Sequence, residues 1–170
     1  MRLTTCATGA EPRPLNLLKS ESMSASAKSP LVPIVLGLTG LIPFVACALA
    51  LSGGFALPLI GGPGATRMAL LVYGIAILSF LGGVRWGINM SGNELPRDYF
   101  IAVTPALIGW AAIGLSRPRD LWMLCIAFVI YGLLDYGMAC RVVAPEWYGR
   151  LRLFLSAIAA ICLGIAAAVS

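Results

Sequence analysis

The sequence predicts an all-α membrane protein, a polytopic transmembrane helical bundle with five spans. Three observations lead there. Hydrophobic residues make up 59% of the 170 positions and charged residues only 11%, whereas a soluble domain is about half apolar and about a quarter charged. The 12 basic and 7 acidic side chains are too few to coat a globule of this size. The apolar residues are also gathered into continuous runs long enough to cross lipid, with most charges left between them. A disordered chain needs the opposite composition, and a membrane β-barrel needs alternating strands.

Residues 1–30 form a polar tail rich in Ser, Ala, Thr and Pro, with no hydrophobic period, and read as disordered. They hold no apolar stretch of the kind a secretory signal carries. Glu11 and Glu21 offset Arg2 and Arg13, which speaks against a mitochondrial presequence. Met23, opening MSASAKSP directly before the first apolar run, is a second candidate start.

The single membrane domain follows over 31–169, with spans at 31–51, 68–90, 99–115, 121–138 and 153–169. A crossing helix needs about 20 residues, with about 17–25 tolerated, so the third and fifth spans sit at the lower limit. Backbone groups in lipid must be satisfied internally, which makes these runs helices. The first holds Pro43 with Pro33, Gly37 and Gly40 nearby, and a bend is expected there. The connection 52–67 combines five glycines and two prolines with Phe55, Leu57, Leu59 and Ile60. It reads as an interfacial or partly inserted loop. The remaining connections are short and polar.

Five crossings place the termini on opposite faces. The side of the tail carries Lys19, Lys28, Arg97, Arg141, Arg150 and Arg152, against Arg67, Arg117 and Arg119 on the other. Basic residues accumulate on the cytoplasmic side, so the N-terminus is expected in the cytoplasm of a bacterium, in its inner (plasma) membrane, or alternatively on the matrix side of a mitochondrial inner membrane. Trp86, Tyr99, Tyr136, Trp147 and Tyr148 fall near the inner boundary, and Tyr73, Trp110 and Trp122 near the outer one, as aromatic belts do.

The counts also exclude chemistry. There is no histidine, which removes imidazole relays, His-metal sites and Ser-His or Cys-His nucleophiles. The five cysteines form no C-x-x-C pair, so zinc and dithiol motifs lack support. No phosphate-cradling glycine motif is present. No catalytic, cofactor-binding or metal-binding residue is expected, and the basic balance reflects topology rather than nucleic acid.

Two ionisable acid–base side chains lie within spans, Arg85 and Asp135. Intramembrane charges are functional candidates by default. Spans two and four run in the same direction, and both residues lie a few residues before the same helix end, so an ion pair between them is geometrically allowed. Asn89 is one turn beyond Arg85, Tyr131 one turn before Asp135, and Thr104 enters from the same side, completing a candidate polar cluster. Three readings stand side by side: a structural pair, snorkelling of Arg85 to the headgroups with Asp135 on Arg141, or a substrate or proton site. Ser79, Gly82, Gly83 and Gly87 form a small-residue stripe read as a helix-packing seam or dimer face, with Ala160, Gly164 and Ala168 as a second stripe.

The segments GLTGLIPFVA (37–46), YGIAILSFLGGVRWG (73–87), TPALIGW (104–110), YGLLDYGMA (131–139) and PEWYGRLR (145–152) together resemble the transmembrane protein 69 family, small multi-span proteins of bacteria and mitochondria. The resemblance covers about Pro33 to Leu163. It implies an integral membrane protein without an assigned activity and carries no catalytic residue over. The expected role is a non-enzymatic structural or accessory membrane component, with the lipid bilayer and either a second copy or another membrane protein as partner. The alternative is a small permease or ion-coupled carrier using the Arg85/Asp135 region.

Overall fold

The computed structural model describes residues 31–90, 96–140 and 146–169. The expected tail 1–30 lies outside them, as do Glu94, Arg141 and the rest of two connections. Among the described residues six helices follow in order: α1 Leu31–Thr39, α2 Ile42–Gly53, α3 Pro63–Met90, α4 Pro96–Ile113, α5 Arg119–Cys140 and α6 Glu146–Ala168. Residues 31–33 belong with the tail and the bundle begins at Ile34.

The expected bend at Pro43 is a break. α1 stops at Thr39 and α2 restarts at Ile42 with Pro43 in its first turn, where a missing N–H costs nothing. The carbonyl of Gly40, left at the break, accepts a hydrogen bond from the Tyr73 hydroxyl at 2.8 Å. Pro105 within α4 poses the same problem, because its ring removes the bond that Ile101 would receive. The Tyr131 hydroxyl donates to the Ile101 carbonyl at 3.2 Å. Two prolines thus disturb helices, and a tyrosine of a neighbouring helix satisfies a carbonyl at each place. Tyr131→Phe is expected to cost about 0.6–2 kcal/mol, the range for a bilayer hydrogen bond and an orphaned carbonyl, read from unfolding in detergent.

Contacts along the chain set helix directions. Tyr99 donates to the Asn89 carbonyl, Gly82 abuts Ala102 and Pro105, and Gly109 faces Ile75, so α3 and α4 are antiparallel. α5 and α6 are antiparallel too, with Gly164 against Trp122 and Cys125, Gly132 against Ser156, and the Cys125 thiol donating to the Ala160 carbonyl. Phe44 is the centre of the core. It meets Tyr73 and Phe128 edge to face, at ring distances of 5.1 and 5.6 Å, the favoured geometry for aromatic quadrupoles. Leu70, Leu78, Leu121, Leu124 and Leu163 complete this fully buried layer.

Among the described residues four stretches are long and apolar enough to cross a membrane: Leu31–Gly53, Pro63–Met90, Arg119–Gly137 and Trp147–Ala168. The count of five spans is therefore corrected. The expected span 99–115 is an 18-residue helix, α4, that begins with the charged pair Arg97 and Asp98 and holds Pro105. It still runs the height of the bundle, from Tyr99 beside the end of α3 to the turn before α5, where the Arg119 amide bonds the Ser116 carbonyl.

Within the bundle the small-residue seam narrows. Of its three glycines Gly82 makes a close approach, while a Cβ on Gly83 or Gly87 would meet nothing within 4 Å. A glycine spacing of four keeps residues on one face only loosely, and Gly82 and Gly83 point a hundred degrees apart. In the connection 54–62, Gly54 caps α2 with φ 67°. Leu57 and Gly61 then exchange backbone hydrogen bonds at 3.1 and 2.8 Å, and Leu59 stands at the tip, 99% exposed. Bonding its own carbonyls lets such a segment sit against lipid. Of the belt aromatics, all four tryptophans are exposed. Tyr73 is taken into the bundle instead.

Candidate functional site

Buried charge collects at the two ends of the bundle. At the end where α3 and α5 finish and α6 begins, the one the sequence leads us to expect on the inner side, Asp135 holds two guanidinium groups. One Asp135 oxygen accepts from Arg85 at 3.1 Å, and the other accepts from Arg152 at 3.0 and 2.6 Å. All three residues are more than nine-tenths buried. The sequence-expected Arg85–Asp135 pair is therefore formed. Snorkelling does not describe Arg85, and Asp135 takes Arg152 as its second described partner. Arg152 also lies over the Tyr148 ring, 5.6 Å from its centroid.

The rest of the expected cluster divides. Tyr131 is buried and spends its hydroxyl on the Ile101 carbonyl while approaching the Thr104 hydroxyl. Thr104 donates to its own helix at the Phe100 carbonyl, 2.7 Å away. Both serve α4 rather than the charges. Asn89 is 2% exposed, and the Nδ2 of its side chain has no hydrogen-bond partner, like the Nε of Arg85 one turn away.

A second ion pair stands at the opposite end of the bundle, the expected outer one. Arg67, in the first turns of α3, meets Asp120 at the start of α5 in a two-pronged contact of 2.9 and 2.6 Å, buried on both sides. Such fork-to-fork geometry is the strongest arrangement of this pair. Asp120 also accepts from the Leu121 amide at 2.8 Å, as carboxylates near helix N-termini do. Sequence reasoning missed both this pair and Arg152. Each of these residues lies one position outside an apolar span, and Arg67 and Asp120 precede two parallel helices at the same end. That shared register was the available signal. Burial also removes Arg152 and Arg67 from the basic residues that the sequence assigns to the two faces, which leaves five against two in that sequence count.

Breaking a buried pair strands a charge, whereas replacing both partners by apolar residues is often neutral or better. Asp120→Leu is expected to destabilise by about 3–5 kcal/mol, and Arg67→Leu combined with Asp120→Leu to restore most of it, as measured by unfolding of the detergent-solubilised protein.

Between the two ends the described interior is apolar. The buried polar residues Thr66, Arg67 and Asp120 lie at one end and Arg85, Asn89, Asp135, Arg152 and Ser156 at the other. No group of three metal-ligating side chains occurs among the described residues.

Comparison with known proteins agrees with this architecture. The family described as "Protein of unknown function (DUF3429)" matches residues 29–168. The chain is 34% identical over 157 residues to Transmembrane protein 69 of Xenopus tropicalis, covering 88% of this chain and 58% of that protein. It is 27% identical over 147 residues to Transmembrane protein 69 of Mus musculus, covering 83% of this chain and 57% of that protein. It thus spans less than two thirds of the length of these relatives. No solved structure matches. With a family match over residues 29–168 and apolar helices of crossing length, the chain is an integral membrane protein that belongs to the DUF3429 family and is similar to transmembrane protein 69.

Proposed function

We propose that this chain is a non-enzymatic structural or accessory component of its membrane, not a carrier. One observation supports this above others: the buried charges of the described helices gather in ion clusters at the two ends, and Leu, Ala, Phe and Gly fill the space between. A carrier needs polar groups near the midplane to receive its cargo, and Arg85 and Asp135 lie at one end. Eighteen residues of α3 separate Arg67 from Arg85, or about 27 Å of helix. That is close to the ~30 Å height of a hydrocarbon core, so the pairs sit where a bilayer's apolar slab begins and ends.

The five-to-two excess of basic residues favours the tail side as cytoplasmic or matrix-facing. A bacterial inner membrane is the first assignment and a mitochondrial inner membrane the second; the frog and mouse relatives suit the second. In-membrane crosslinking followed by mass spectrometry tests the role. A stoichiometric membrane-protein partner, or a homo-oligomer, is the expected result. Solute flux in proteoliposomes, lost in Asp135→Asn protein that folds normally, would instead establish the carrier.

A further inference from the structure

The two ion clusters differ in charge balance. At the outer end one guanidinium meets one carboxylate. At the inner end, among the described residues, two guanidinium groups share the single carboxylate of Asp135, and all three are more than nine-tenths buried. Burying a charge without a counter-charge is costly, so the extra positive charge calls for an explanation that the Asp135 contacts do not supply.

The hydrogen-bond inventory points the same way. Among the described residues three buried side-chain donors lack an acceptor: the Arg67 Nε stands alone at the outer end, whereas the Arg85 Nε and the Asn89 Nδ2 are four residues apart and hence adjacent on one helix face. Both are donors only. What satisfies them must be an acceptor, and what balances the cluster must be negative. Water meets the first requirement and not the second. Depth adds a third constraint. Asn89 is the penultimate residue of α3 and Arg85 five from its end, about a turn and a half, so a group arriving from the membrane surface reaches them without crossing the apolar interior.

We propose that the inner-end cluster is a binding site for an anionic oxygen group of the phosphate class, with Arg85 and Asn89 donating to it and with Asp135, itself fixed by Arg152, holding the Arg85 guanidinium in place. Two sources offer that chemistry, the phosphodiester of an anionic lipid headgroup and a free phosphate ion. The site stands or falls independently of the accessory role, since a scaffold and a carrier alike can hold an anion there.

The test uses the full chain, purified in a neutral detergent. Phosphatidylglycerol, phosphatidylcholine and inorganic phosphate are titrated separately while thermal unfolding is followed, and native mass spectrometry counts retained lipid. Phosphatidylglycerol or phosphate is expected to raise the unfolding temperature and phosphatidylcholine to do so far less. Response to phosphatidylglycerol alone identifies a lipid site, and an equal response to phosphate identifies a soluble anion. Asn89→Asp places a negative charge beside Arg85 and should weaken the apparent affinity at least tenfold. Asn89→Leu removes the donor without adding a charge and should weaken it severalfold. Wild-type affinity in either folded variant overturns the proposal, and so does a wild-type chain that responds equally to the two lipids and not to phosphate. Asn89→Leu introduces no charge, so it keeps the test open if the aspartate does not fold.

Discussion

Asp135→Ala is expected to destabilise the protein by about 3–5 kcal/mol, the cost of leaving buried charge without its partner, and to abolish its accumulation in the membrane. The substitution strands Arg85 and Arg152 together, both buried and only a few ångströms apart, so like-charge repulsion adds to desolvation. Arg152→Leu should cost much less, because it leaves a balanced Arg85–Asp135 pair. The ordering of the two variants in detergent unfolding is the decisive reading: a milder effect for Asp135→Ala would mean that the carboxylate does not organise this end. Arg152 also explains why exchanging Arg85 and Asp135 is expected to restore little. The new arginine at 135 would face Arg152 directly.

Gly82→Leu is the second large effect, about 3 kcal/mol or more. A Cβ there would collide with the Ala102 carbonyl oxygen and press on the Pro105 ring at 3.2 Å. Neither neighbour can rotate away, since one is backbone and the other a closed ring. The α3–α4 pair must separate, which exceeds the usual cost of overpacking. Gly83→Leu, one residue on, meets nothing and should lie within about 0.5 kcal/mol of the parent. Comparable unfolding of the two variants would refute this assignment of the helix contact.

The difference between these glycines marks where sequence reasoning reaches its limit. Composition and run length were enough for the helical membrane fold, because lipid leaves a chain few options. They brought Arg85 and Asp135 to matched depths on parallel helices, which made a pair possible, but snorkelling and an Asp135–Arg141 contact stayed equally open until the structure joined the two. They could not say which of two adjacent glycines faces a neighbour, because periodicity assigns a face without naming its occupant. Arg67, Asp120 and Arg152 escaped for a related reason. A charge one residue beyond an apolar run looks like a solvated flank, and only the tertiary arrangement turns it inward. The 99–115 span was misjudged at its start, where Arg97 and Asp98 belong to the helix as its first turn.

The ion pairs at the two ends carry a consequence for where this protein is at ease. Arg67–Asp120 and Arg85–Asp135 are joined through rigid helices, so their separation cannot stretch to suit the surrounding lipid. Membranes differ in hydrophobic thickness by several ångströms, and mismatch costs a fraction of a kcal/mol per ångström. A protein ruled off at both edges in this way favours bilayers of short or unsaturated acyl chains, and in a thicker, sterol-rich membrane it would have to tilt or draw the leaflets inward.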